Sequence, residues 1–145
     1  MKKEIDDMEL ICDILSASKT IAVVGISRSP NKTSRSIAEF LVNKGYHVVG
    51  VNPYFDEADS TGDIKVYRNL SDIPFDVDIV DVFRRSEDIP ELISDVLNKK
   101  PKTLWLQQDI RNDEAVQPVI ENGINTIQDK CIAVFYNLCR VNRKK

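Results

Sequence analysis

Hydrophobic positions along this chain follow two periods in alternation. From residue 4 to 18, Ile5, Met8, Ile11, Cys12 and Leu15 recur at helical spacing among charged neighbours, which predicts a helix. The run Thr20-Ile21-Ala22-Val23-Val24-Gly25 is short, apolar and β-branched, the mark of a strand buried on both faces. Turn residues fill Gly25 to Lys32, and a helix is expected from about Thr33 to Lys44, with Ile37, Phe40 and Leu41 as its stripe and Gly45 as its stop. Tyr46 to Val51 reads as a second strand, ended by Asn52-Pro53. A polar stretch from Tyr54 to Lys65 reads as a solvated loop, and Val66-Tyr67 as a short strand.

The second half repeats the alternation. Strands are expected at Asp76–Phe83, Lys102–Gln107 and Ile124–Ile127. Helices are expected from Ser86-Glu87-Asp88 to about Lys99, from about Asp113 to Asn122, and from about Lys130 to Leu138. Strands alternating with helices of this length imply a mainly parallel sheet with helices on both faces. The expected fold is α/β, a Rossmann-like doubly wound single domain over residues 1–145. Residues 1–18 add an N-terminal helix and residues 140–145 a basic tail.

Composition narrows the function. The chain has 145 residues, 30% of them charged, and 20 basic against 23 acidic residues give a net charge of −3. That balance disfavours nucleic-acid binding, where a basic face supplies most of the affinity. No apolar run approaches the roughly 20 residues that span a bilayer. The start, Met1-Lys2-Lys3-Glu4-Ile5-Asp6-Asp7, lacks the apolar core of a signal peptide, so a cytoplasmic location is expected. Cys12, Cys131 and Cys139 form no C-x-x-C, and His47 is the single histidine, so neither a metal site nor a disulfide is expected. Cys12 and Cys139 read as helix-face core residues. Cys131, beside Lys130 at a helix start, reads as an ordinary buried thiol rather than a reactive one.

In open α/β sheets, ligands bind beyond the carboxyl ends of the strands, where strand order reverses. That rule selects Gly25-Ile26-Ser27, Asn52-Pro53, Phe83-Arg84-Arg85, Leu106-Gln107 and Gln128-Asp129. The first of these loops, Gly25-Ile26-Ser27-Arg28-Ser29-Pro30, keeps only one glycine of the dinucleotide fingerprint. The second strand ends on Asn52 instead of the acid that holds an NAD ribose, and no P-loop occurs. A phosphate site is nonetheless expected at the helix beginning near Thr33, from its free N–H groups and dipole. Ser27, Ser29, Thr33 and Ser34 supply hydroxyls there, and Arg28, Lys32, Arg35, Arg84 and Arg85 supply a local basic wall. No nucleophile–base pair is legible, so catalytic residues are not assigned.

Several blocks carry a resemblance. Val24-Gly25-Ile26-Ser27-x-x-Pro30, Ser34, Gly45-Tyr46-His47-Val48-Val49-x-Val51-Asn52-Pro53, Asp81-Val82-Phe83-Arg84-Arg85-Ser86-Glu87, Trp105-Leu106-Gln107 and Asp129-Lys130-Cys131 occur in order. Together they resemble the small bacterial CoA-binding protein family, which is similar to the N-terminal CoA-binding domain of the succinyl-CoA synthetase α subunit. The resemblance implies coenzyme A or a short acyl-CoA as ligand. It places Gly25, Ser27 and Pro30 near the diphosphate, with Lys32, Ser34 and Arg35 extending that wall. It also places Asn52, Pro53, Phe83 and Arg84 around the adenine and phosphates, and Gln107 near the pantetheine. Gln108-Asp109 stands where relatives often carry a glycine after the glutamine.

The expected function is CoA binding without catalysis. A subunit or partner of an acyl-CoA-processing enzyme, and a nucleotide or redox sensor, are the alternatives. A protein partner or self-association is left open.

Overall fold

A computed structural model describes residues 3–29, 31–55 and 64–140. Its strands are β1 (Thr20–Val24), β2 (His47–Val51), β3 (Val66–Tyr67), β4 (Ile79–Val82), β5 (Thr103–Leu106) and β6 (Asn125–Ile127). Its helices are α1 (Met8–Ala17), α2 (Thr33–Asn43), α3 (Ile89–Lys99), α4 (Asp113–Glu121) and α5 (Ile132–Cys139). Short 3₁₀ turns occupy Leu70–Asp72 and Ser86–Asp88.

All pairings are parallel and the strand order is β3-β2-β1-β4-β5-β6. The order reverses between β1 and β4, which makes that gap the topological switch. Parallel strands need crossovers, and the crossover helices bury both sheet faces. Ala22, Val24, Val80, Val82, Leu104 and Leu106 pack against Leu92 and Val96 of α3 and Val119 of α4. Ile21, Val23, Ile79, Trp105 and Ile127 pack against Ile11 of α1, Ile37 of α2 and Ile132 of α5. The near-continuous apolar strands of the sequence are therefore two-sided core. Each fully buried Leu or Ile contributes about 1.5–3 kcal/mol.

Two expectations need correction. The N-terminal helix begins at Met8, not near residue 4. Asp7 has extended backbone and its carboxylate accepts the Leu10 N–H at 3.0 Å, so it caps the helix and stops it. The segment before it runs beside β6, where the Ile5 N–H donates to the Thr126 carbonyl at 2.7 Å. Glu4 pairs with Arg111 at 2.8 Å and Asp6 with Lys130 at 2.7 Å.

The second correction concerns cysteine. Cys12 of α1 and Cys139 of α5 form a disulfide, with Cα atoms 5.3 Å apart. Cys139 packs against the core, Cys12 is half-buried, and the helical periodicity carried no information that α1 and α5 pack side by side. Cys131 is free and half-buried.

Candidate functional site

The carboxyl edge of the sheet is built around Gly25. Its φ of +87° is a conformation that suits glycine, and a β-carbon there would overlap the Phe83 carbonyl oxygen. The chain leaving β1 thus turns directly over the end of β4. Asn52 braces the neighbouring loop, since its Nδ2 donates to the Ile26 carbonyl at 2.9 Å and its Oδ1 accepts the Tyr54 N–H at 2.9 Å. An uncharged Asn is needed for this, because a carboxylate has no N–H to donate.

Beyond Gly25 the loop folds back on α2. The buried Ser34 hydroxyl accepts the Ser27 N–H at 3.0 Å, and the Ser27 hydroxyl accepts the Ser29 N–H at 3.1 Å. Lys32 occupies the N-cap position of α2, and its side chain makes no capping bond. The positive end of α2 therefore has Ser27, Ser34 and Lys32 around it. Arg28 lies over the Phe55 ring at 5.2 Å. Pro30, one of the expected site residues, lies outside the described residues, as does the acidic stretch over 56–63.

On the other side of the switch lies a cavity of about 220 Å³. Val24, Val51, Leu70 and Leu92 form apolar lining, and Pro53, Tyr54, Arg68, Asn69, Arg84, Glu91 and Asp95 complete it. Tyr54 is 82% exposed, an aromatic ring held at the mouth. Arg84 sits 3.8 Å from Glu91. A larger cavity of about 660 Å³ lies against α4 and the N-terminal segment. Three of its polar groups are already joined: Gln128 Nε2 donates to Glu4 and Asp113, and Arg111 bonds the same two carboxylates. The smaller cavity is the better candidate, because it opens at the switch.

The expected basic wall is only partly gathered here. Arg35 is drawn to Glu39 at 3.1 Å. Arg85 is tied to Asp88 at 2.9 Å and Glu87 at 3.4 Å, with its side chain 74% exposed. Glu39 and Asp88 stand four and three residues after these arginines, the spacing at which helical neighbours meet. Phe83 is half-buried against the α2 and α5 side of the core. Gln107 is buried, and its Oε1 accepts the Ile132 N–H at 3.1 Å, so its amide caps α5. After it, Asp109 takes a φ of +70°, the left-handed geometry that a glycine would take freely, and its N–H donates to Asp129 at 2.6 Å.

The profile model of the CoA binding domain matches residues 19–137. The chain belongs to this CoA-binding domain family. It is 40% identical over 126 residues to the uncharacterized protein YneT of Bacillus subtilis, covering 87% of this chain and 91% of YneT. Among solved structures it is similar to cell-free ID.343 from Thermus thermophilus, at a TM-score of 0.87 and 31% identity, over 92% of this chain and 99% of that one. It also superposes on acetyl-coenzyme A synthetase 1 of Ca. Korarchaeum cryptofilum, at a TM-score of 0.65 and 24% identity, over 79% of this chain and 26% of the synthetase. The Gly25–Pro53 region and the Arg84 strand end both lie within the family match.

Sequence reasoning missed most of the cavity lining, Tyr54, Arg68, Asn69, Glu91 and Asp95 among it, and one buried acid. Tyr54 follows β2 and Arg68 and Asn69 follow β3, and their only signal was their position just after Asn52-Pro53 and Val66-Tyr67. Asp81 lies in the middle of β4, paired in register with Val23 and Trp105. It is fully buried with both carboxylate oxygens unpartnered, and burial pushes its pKa well up. The signal was a carboxylate inside a β-branched run. His47 begins β2 at the opposite sheet edge, with its ring 5.1 Å from that of Phe75, and so lies far from the crevice.

Proposed function

We propose that this protein binds coenzyme A, or a short acyl-CoA, across the carboxyl edge of its sheet. The observation that carries the reading is the pairing of two unlike subsites over one switch. On one side stands the N-terminus of α2, where the Lys32 side chain makes no capping bond and the Ser27 and Ser34 hydroxyls lie close by. On the other stands an apolar-lined cavity with an exposed tyrosine and two arginines. Phosphate oxygens suit backbone N–H groups, hydroxyls and a nearby cation. A purine suits an apolar slot with a stacking ring, and the Glu91 and Asp95 carboxylates suit an exocyclic amine. Family membership supports the same ligand.

The described residues bring no histidine or paired nucleophile and base to the crevice, and binding without chemistry of its own is the reading adopted. In it, Gly25, Ser27, Lys32 and Ser34 hold phosphates, and Asn52, Pro53, Tyr54 and Arg84 hold the nucleoside. The location in the reading is cytoplasmic. Calorimetric titration with CoA, acetyl-CoA and NAD tests it. CoA should bind more tightly than NAD, and the reverse order would sink the proposal. Turnover of an acyl-CoA by the purified chain would favour the alternative, a component of an acyl-CoA-processing enzyme.

A further inference from the structure

We infer that Cys12 and Cys139 form a reversible thiol-exchange site, taking low-molecular-weight disulfides as oxidants and dithiols as reductants. The site stands apart from the crevice and does not depend on which ligand the crevice binds.

Three observations carry it. First, the bond joins the two terminal helices over a separation of 127 residues, yet the fold has no need of a staple. Disulfides compensate for small cores, whereas this chain buries two extensive apolar clusters on either side of a six-stranded sheet. Second, α1 is held independently of the sulfurs. Ile11 and Leu15 are fully buried, the Tyr46 hydroxyl donates to the Leu15 carbonyl at 2.6 Å, and the preceding segment bonds β6. Opening the bond therefore leaves α1 docked and the two thiols facing each other, ready to close again. Third, both cysteines are half-buried and sit on the outer helices, and the adjacent Leu138 is 58% exposed. A small disulfide can reach them.

Cys131 does not enter the exchange. It caps the opposite end of α5 from Cys139, about 12 Å along the helix at 1.5 Å per residue. The chemistry balances between two thiols and one external disulfide. One protein thiolate attacks a sulfur of the disulfide, forming a mixed disulfide and releasing a thiolate. The second protein thiolate then displaces the other half. Two electrons pass from the cysteines to the disulfide, and the two thiol protons end on the released thiols.

Equilibration of the full chain in glutathione buffers of graded ratio, acid quenching, alkylation and intact mass measurement test this. The expected result is a transition from three alkylated thiols to one within the glutathione range. The reduced protein should stay folded by circular dichroism and melt roughly 5–15 °C lower. C12S and C139S should each trap one glutathione on the remaining cysteine of the pair. A bond that resists excess dithiothreitol in the folded protein would make it a permanent staple and overturn the inference. Unfolding on reduction, or thiols that stay free in oxidised glutathione, would overturn it equally. The C12S/C139S double variant should keep the reduced-form melting point in every buffer.

Discussion

No β-carbon fits between Gly25 and the carbonyl oxygen of Phe83. This contact sets how closely the loop after β1 crosses the end of β4, and so the shape of the crevice. Gly25→Ala adds a clash to an unfavourable positive φ. It should destabilise the fold by about 2–4 kcal/mol, from backbone strain and overpacking together. Urea denaturation measures this, and CoA titration of the folded fraction should show weakened binding as well.

Arg84 and Arg85 are neighbours in sequence with different surroundings. Arg84 lines the cavity, while Arg85 is occupied by Glu87 and Asp88 at the surface. Arg84→Ala should weaken CoA binding by about 1.5–3 kcal/mol, the value of a charge-assisted hydrogen bond. Arg85→Ala should leave affinity within about twofold, as expected for a screened surface charge. Calorimetry on both variants separates them, and equal losses would place Arg85 in the site too.

Tyr54 offers its ring at the cavity mouth. If it stacks on the nucleobase, Tyr54→Ala should cost about 1–3 kcal/mol of CoA affinity. Tyr54→Phe should retain most of that affinity. Phosphopantetheine, which lacks the base, should bind the wild type and Tyr54→Ala alike.

Asp81 predicts a pH dependence. Burial holds its carboxyl neutral in the folded protein well above the ordinary value of 3.8. The unfolded chain releases the same proton near that ordinary value. This group therefore leaves stability intact below it and erodes stability as pH rises toward the folded pKa, by about 1.4 kcal/mol per pH unit. Asp81→Asn cannot titrate, so its stability relative to wild type should rise over that window. Denaturation curves from acid to neutral pH check the divergence. Asp78 acts in the opposite sense. Its burial raises the pKa, but the N–H groups of Thr20 and Lys19 together with the Lys102 ammonium outweigh this and hold it below the usual range. Its contribution is lost on acidification, which keeps the Asp81→Asn comparison necessary.

The sheet and its helices were legible because burial imposes a period. Two-sided strands such as Ile79–Val82 appear as apolar runs, and one-sided helices such as α2 appear as stripes. The gathering of Gly25, Ser27, Asn52 and Arg84 at one edge was legible from topology alone. What escaped depends on contacts between distant segments. The Cys12–Cys139 bond requires α1 and α5 to be neighbours, whereas the pairing of Arg35 with Glu39 and of Arg85 with Asp88 stood in the sequence as i, i+4 and i, i+3 spacing. Capping by Asp7 was written in the sequence but outweighed there by the apolar spacing that reached back to Ile5.

The segment before α1 also guards the sheet. β6 is an outer strand, and its Thr126 carbonyl would face solvent without the Ile5 N–H. Glu4 and Asp6 pin that segment through Arg111 and Lys130. Unpaired strand edges recruit other chains, and a charged strap laid along one blocks that pairing. Trimming the chain to Asp7 would strip that cover and lay bare the outer border of β6.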